Sequence, residues 1–152
     1  MLKRCPSRVN VQARRRLLVG MRERFGTAGT PVSARYLVNA GRMGPGSWYL
    51  DEQLEGSRFL GEGGHFVDTL SWWVGHDPVE VSAVGTPDGS DLQATLRFAD
   101  GSLGTVTYST GGDSRVPKET LDVSGGGRNA RLDNFARATV WTRGGRDTKR
   151  SF

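Results

Sequence analysis

Apolar residues recur along this chain with two periods, and the switch between them sets the expected architecture. Near the start, Leu17, Met21 and Phe25 fall at i, i+4 and i+8, with arginines on the other faces and Gly26 behind them. That spacing predicts an amphipathic helix over about 14–25. From Val32 the period drops to two: Val32, Ala34, Tyr36 and Val38 alternate with Ser33, Arg35 and Asn39, the pattern of a half-buried strand. Residues 41–60 then collect Gly41, Gly44, Pro45, Gly46 and Gly56 around Trp48 and Tyr49. This is the composition of a long irregular loop, a place where binding chemistry often sits. The helical period returns over about 62–75, with Phe66, Leu70 and Trp73 in one stripe, Val67 and Val74 beside it, and Gly75 and Pro78 to stop it.

From residue 79 onward the alternation is again two. Val79, Val81 and Ala83 form one run and Leu92, Ala94, Leu96 and Phe98 another, separated by the turn Pro87-Asp88-Gly89 and followed by Asp100-Gly101. Further strands are expected near 103–109, 118–124, 129–134 and 137–142, with Gly125-Gly126-Gly127 as a turn. A strand, a helix and then a series of hairpins reads as α+β: a mostly antiparallel open sheet with helices packed on one face.

A chain of 152 residues fits one domain with a real core. No run approaches the roughly 18 apolar residues of a membrane span. The single cysteine, Cys5, excludes an internal disulfide and suits a reducing compartment, so a cytoplasmic location is expected. The net charge of +5 is unevenly spread: +7 over residues 1–25, +3 over 143–152 and −5 between them. The ends are therefore basic and the body mildly acidic. The expected organisation is a basic, disordered segment over 1–13, one domain over 14–145 and a basic tail over 146–152. Aromatic residues are not interleaved with the basic runs, which argues against a nucleic-acid platform.

With two histidines (His65 and His76) and one cysteine, the chain is too poor in soft ligands for a structural Cys/His zinc site. Glu62-x-x-His65 matches half of a di-iron carboxylate site, but that architecture needs two copies and only one exists, so no metal is expected. The densest polar cluster is Gly61-Glu62-Gly63-Gly64-His65-Phe66-Val67-Asp68. Glu62, His65 and Asp68, three apart, would project from neighbouring positions of a helix. A neutral imidazole there could take a hydroxyl proton. A histidine that merely packs, with Asp68 bonded to backbone, fits the same spacing. The glycines do not make a dinucleotide fingerprint, because no hydrophobic strand precedes them and no acidic strand end follows, and no Gly-Lys-Ser/Thr phosphate loop occurs. No cofactor-binding residue is expected in this chain.

Several of these segments together resemble a known family. Tyr36-Leu-Val-Asn-Ala-Gly41, the Trp48 loop, Arg58-Phe-Leu-Gly-Glu-Gly-Gly-His-Phe-Val-Asp68, Pro117-Lys-Glu119 and Ala130-Arg-Leu-Asp-Asn-Phe135 are similar to the C-terminal domain of the glucose–fructose oxidoreductase / inositol dehydrogenase / MocA-like oxidoreductases. The branch fused to an alcohol-dehydrogenase-like half is the most similar, and the likeness covers about 14–145. The resemblance implies the substrate-binding and oligomerisation half of a two-domain enzyme that uses NAD or NADP on a sugar or cyclitol hydroxyl or carbonyl. The cofactor domain would lie outside this chain, which alone would be inactive, and copies would associate through the open sheet face. His65 then matches the proton-transferring histidine. Many relatives carry an aspartate four residues before it; here that position is Gly61, and the adjacent carboxylate is Glu62, which would orient the histidine or the substrate. Asn39, Trp48 and Lys118 are candidates for substrate contacts, each with an ordinary structural reading beside the functional one. The rival reading is a non-enzymatic module that binds a sugar or a protein.

Overall fold

The computed structural model describes residues 7–26, 29–42 and 58–150. In chain order the elements are α1 (Ser7–Phe25), β1 (Ser33–Asn39), α2 (Arg58–Val74), β2 (Pro78–Gly85), β3 (Leu92–Phe98), β4 (Leu103–Ser109), β5 (Glu119–Gly125), β6 (Arg128–Asp133), β7 (Arg137–Thr142) and β8 (Gly145–Arg150). The strands form one eight-stranded sheet in the order β2-β3-β4-β1-β5-β6-β7-β8. β1 lies in the middle, parallel to β4 and antiparallel to β5, and the other neighbours are antiparallel hairpins. Both helices pack on one face, so the fold is α+β with an open sheet.

The hydrophobic stripes read from the sequence become the core. Leu17, Met21 and Phe25 on α1 are buried over β6 and β7, and Phe66, Leu70 and Trp73 on α2 are buried over β1, β3 and β4. Beneath them lie Ala34, Tyr36 and Val38 of β1, Val106 and Tyr108 of β4, and Leu121 and Val123 of β5. Phe25 meets Trp73 edge to face at 5.7 Å, which joins the two helices. Arg22 reinforces that joint: its guanidinium lies 4.8 Å from the Trp72 ring and its Nε donates to the Trp73 carbonyl at 2.9 Å. A cation at the C-terminal carbonyls of a helix is favourably placed. Trp141, Leu37 and Leu103 lie on the opposite, helix-free face, each more than a third exposed.

Three boundaries differ from expectation. α1 starts at Ser7 instead of near 14, so half of the segment expected to be disordered is helical. The segment expected as a basic tail supplies β8, which is hidden from a hydrophobic pattern because Gly-Arg-Asp-Thr-Lys-Arg holds no apolar side chain. α2 starts at Arg58, not 62. A fourth difference concerns burial. The alternating valines of β2 suggested a half-buried strand, yet Val79, Val81 and Val84 are 57%, 61% and 70% exposed. β2 is an edge strand beyond the reach of both helices, so its pattern finds no partner layer. Among the described residues no helix is long and apolar enough to cross a membrane.

Candidate functional site

Because β1 and β4 run parallel, their C-terminal ends, Asn39 and Ser109, finish side by side. The antiparallel neighbours bring the start of β5, the β6–β7 turn and the β2–β3 turn to the same end. The N-terminal half of α2 lies over it. Phe66 packs on Tyr36 with centroids 5.0 Å apart and on Tyr108 at 6.2 Å, while Phe59 meets Tyr108 edge to face at 5.5 Å. This aromatic floor carries the polar groups.

Glu62 is half-buried, and the Tyr108 hydroxyl donates to its Oε2 at 3.2 Å. His65, one turn along the same helix face, is exposed. Its carbonyl accepts the Thr69 hydroxyl at 2.7 Å, an ordinary within-helix bond that leaves the ring uninvolved. Since α2 begins at Arg58 and not near 62, His65 stands about two turns inside the helix. Asp68 is exposed on the next turn.

The glycines around His65 are not equivalent. A Cβ on Gly63 would lie 2.7 Å from the Phe59 ring, so this position must be bare for Phe59 to lie across the helix. Gly61 and Gly64 have nothing within 4 Å. All three sit inside α2, where backbone N–H groups serve the helix, so these glycines offer no phosphate cradle.

The other expected residues scatter. Asn39 belongs by alternation to the helix-free face, and its amide Nδ2 donates to the Asp113 carbonyl at 2.8 Å. Its Oδ1 is buried without a partner among the described residues, pressed against Gly112 so closely that any side chain there would collide. Asn39 thus anchors the 110–118 loop. Lys118 is exposed, and its carbonyl accepts the Asn39 N–H at 2.7 Å, which places it beside the end of β1. Trp48 lies outside the described residues. Hence Glu62 and His65 share one helix face, while Asn39 and Lys118 meet at the edge of the same end.

Sequence reasoning missed four members: Tyr108, described above, and Tyr36, Glu119 and Asp91. Tyr36 donates to Glu119 Oε2 at 2.6 Å, and burial, reinforced by the Glu119 charge, pushes its phenol pKa far up, so it remains a donor. Asp91 accepts the Thr110 N–H at 2.8 Å, the Thr110 hydroxyl at 2.9 Å and the Ser109 hydroxyl at 3.1 Å. These bonds, the Thr110 N–H foremost, hold its carboxyl below the usual range and tie the 110–118 loop to the β2–β3 turn. The available signal was tyrosine in place of an aliphatic residue near the ends of two strands. Among the described residues no group of three His, Cys, Asp or Glu could hold a metal ion.

Comparison with solved structures gives the same architecture. Levoglucosan dehydrogenase, in complex with NADH and levoglucosan, is 18% identical with a TM-score of 0.73, over 94% of this chain and 46% of that one. An oxidoreductase domain protein from Kribbella flavida is 19% identical with a TM-score of 0.67, over 93% and 44%. A super-repressor mutant of Gal80p from Saccharomyces cerevisiae is 11% identical with a TM-score of 0.61, over 94% and 43%. The chain therefore spans less than half the length of these proteins. Among curated protein sequences none matches it. The family model of the GFO/IDH/MocA C-terminal domain matches residues 24–126, about two thirds of the chain and all of the region that carries Glu62, His65 and Tyr108. The chain belongs to the GFO/IDH/MocA C-terminal domain family.

Proposed function

We propose that this chain is the substrate-binding and oligomerisation domain of a cytoplasmic oxidoreductase that acts on a hydroxyl or carbonyl of a sugar or cyclitol. The observation that carries the reading is the arrangement on α2: an exposed imidazole one turn from a half-buried carboxylate whose position a buried tyrosine fixes. A polyol offers hydroxyls that donate to Glu62, while His65 exchanges the proton of the hydroxyl at the reacting carbon. Asn39, Lys118 and Trp48 contribute around this centre, the first two by setting the end of β1 and the 110–118 loop. NAD or NADP is the cofactor of the complete protein on this reading. The helix-free face, with Leu37, Leu103 and Trp141 exposed, is the surface on which copies would associate.

A titration of the isotope-labelled chain tests the site. Addition of myo-inositol, glucose or levoglucosan is expected to shift the His65 ring signals and the amides of residues 59–69. If none of the three shifts them, the reading is wrong. The second reading is a non-enzymatic sugar- or protein-binding module, and a protein named as a super-repressor mutant shares this fold. Under it, H65N in the cofactor-bearing protein changes nothing measurable.

A further inference from the structure

We propose that Glu119 is a second substrate-gripping carboxylate of this site, accepting hydroxyls of a bound polyol from the side opposite Glu62. The proposal rests on the polyol reading given above. Its geometric basis is a row that crosses three strands. Val38 of β1 is in register with Tyr108 of β4 on one side and with Glu119 of β5 on the other. Alternation places all three on the helix-bearing face. Two strand spacings, roughly 10 Å, separate Tyr108 from Glu119. At one end of the row Tyr108 holds Glu62; at the other Tyr36 holds Glu119. Phe66 touches both tyrosines, so the two tyrosine–glutamate pairs flank one aromatic ring.

Glu119 is also built to stay in place. Its backbone carbonyl accepts the Asn134 N–H at 2.7 Å, and the preceding carbonyl, that of Lys118, accepts the Asn39 N–H at 2.7 Å. Its carboxylate takes a 2.6 Å bond from a phenol that burial keeps protonated, a short charge-assisted contact that fixes the rotation of the group. Oε2 is used; Oε1 has no hydrogen-bond donor among the described residues. A carboxylate immobilised through one oxygen, half-exposed and facing an aromatic floor, suits the outward-pointing donors of a polyhydroxylated ring. A residue needed only to satisfy the Tyr36 hydroxyl would not have to be charged, since a neutral amide oxygen accepts that bond too, if less strongly.

The distinction supplies the experiment. The 152-residue chain is titrated with myo-inositol, glucose and levoglucosan, followed by amide shifts, as wild type, E119Q and Y36F. E119Q keeps an oxygen for Tyr36 and loses the charge; it is expected to weaken polyol binding at least tenfold while lowering the melting temperature by no more than Y36F does. Y36F keeps the charge and loses the anchor; it is expected to weaken binding about threefold. Wild-type affinity in E119Q for every sugar that binds would overturn the role of Glu119 while leaving the site intact. If the unmutated chain binds none of the three, the polyol reading falls and this proposal with it. Should E119Q fold poorly, E119D, which keeps the charge but shortens the reach, is expected to lose binding as well, and unchanged binding there overturns the proposal equally.

Discussion

The two histidines lie toward opposite ends of the sheet, His65 in the middle of α2 and His76 just beyond its C-terminus, and their surroundings differ in kind. His65 lies over the ends of β1 and β4, where carboxylates are held by tyrosine hydroxyls above an aromatic floor. His76 follows the helix at the other end, near Asp100, where side chains serve the backbone. There the Ser102 N–H and hydroxyl donate to Asp100 at 2.9 and 2.8 Å, and the Ser102 Oγ accepts the Val32 N–H at 2.9 Å. Arg128 donates to the last carbonyl of α1, that of Phe25, at 2.7 Å. One end spends its polar groups on closing turns and capping helices; the other holds acceptors in fixed positions at an open surface. The difference teaches that polar density alone does not mark a site; what counts is whether the polar groups face the protein's own backbone.

The sharpest way to break this contrast is to exchange the histidines for asparagine in the cofactor-bearing oxidoreductase proposed above. H65N is expected to lower kcat by about a hundredfold or more, the usual scale for a lost proton-transfer group. H76N should leave turnover within about twofold, so equal losses would dissolve the distinction. Next in size is Ser102→Ala, which strands the part-buried Val32 N–H and removes one of the two bonds to Asp100. Its expected cost is about 1–3 kcal/mol, read as a lower melting temperature with the sugar titration unmoved. Tyr108→Phe should do the reverse: a stability loss of about 1 kcal/mol and a clear weakening of polyol binding.

Within α2 the glycines sharpen the same point. G63A drives a methyl into the Phe59 ring and is expected to cost about 1–3 kcal/mol, displacing the aromatic floor under Glu62. G64A, in open space, should stabilise the helix by up to about 1 kcal/mol. Thermal melts of the two variants should therefore move in opposite directions. The smallest effect concerns pH. The folded-state pKa of Asp91 lies below the unfolded one, so its contribution is present above the unfolded value of about 3.9 and is lost as pH falls through the folded value. The Thr110 amide signal should hold its position from neutral pH down to about 4 and move below it; in D91N it should not titrate.

Much of this was legible from the chain. The Leu17/Met21/Phe25 and Phe66/Leu70/Trp73 stripes gave both helices and the faces they bury, because each spans at least two turns. Most strands were legible for the same reason, at period two. The parallel pairing of β1 with β4 was not, since alternation says which face a residue takes but not which strand lies beside it. β2 misled because the pattern of a half-buried strand persists at an edge where nothing covers it. In the site, Glu62 and His65 were visible through their spacing on one helix. Tyr36, Tyr108 and Glu119 were hidden because they are distant in sequence and meet only through register.

The helix-free face carries a row of opposite charges whose effect reaches beyond that surface. Arg35 pairs with Asp122 at 2.8 Å, Asp122 with Arg131 at 2.8 Å, and Asp133 with Arg137 at 2.7 Å, across β1, β5, β6 and β7. Such exposed pairs add little to stability singly. Their consequence lies in what they forbid. Asp122 stands opposite Arg131, and Asp133 opposite Arg137. Sliding β6 along β5 by two residues would keep every side chain on its proper face, yet in one direction it sets Asp122 against Asp133. The corresponding slip of β7 along β6 sets Arg131 against Arg137. Like charges directly opposed disfavour pairing, so the row works as a gauge that rejects the misalignments a hydrophobic core would tolerate.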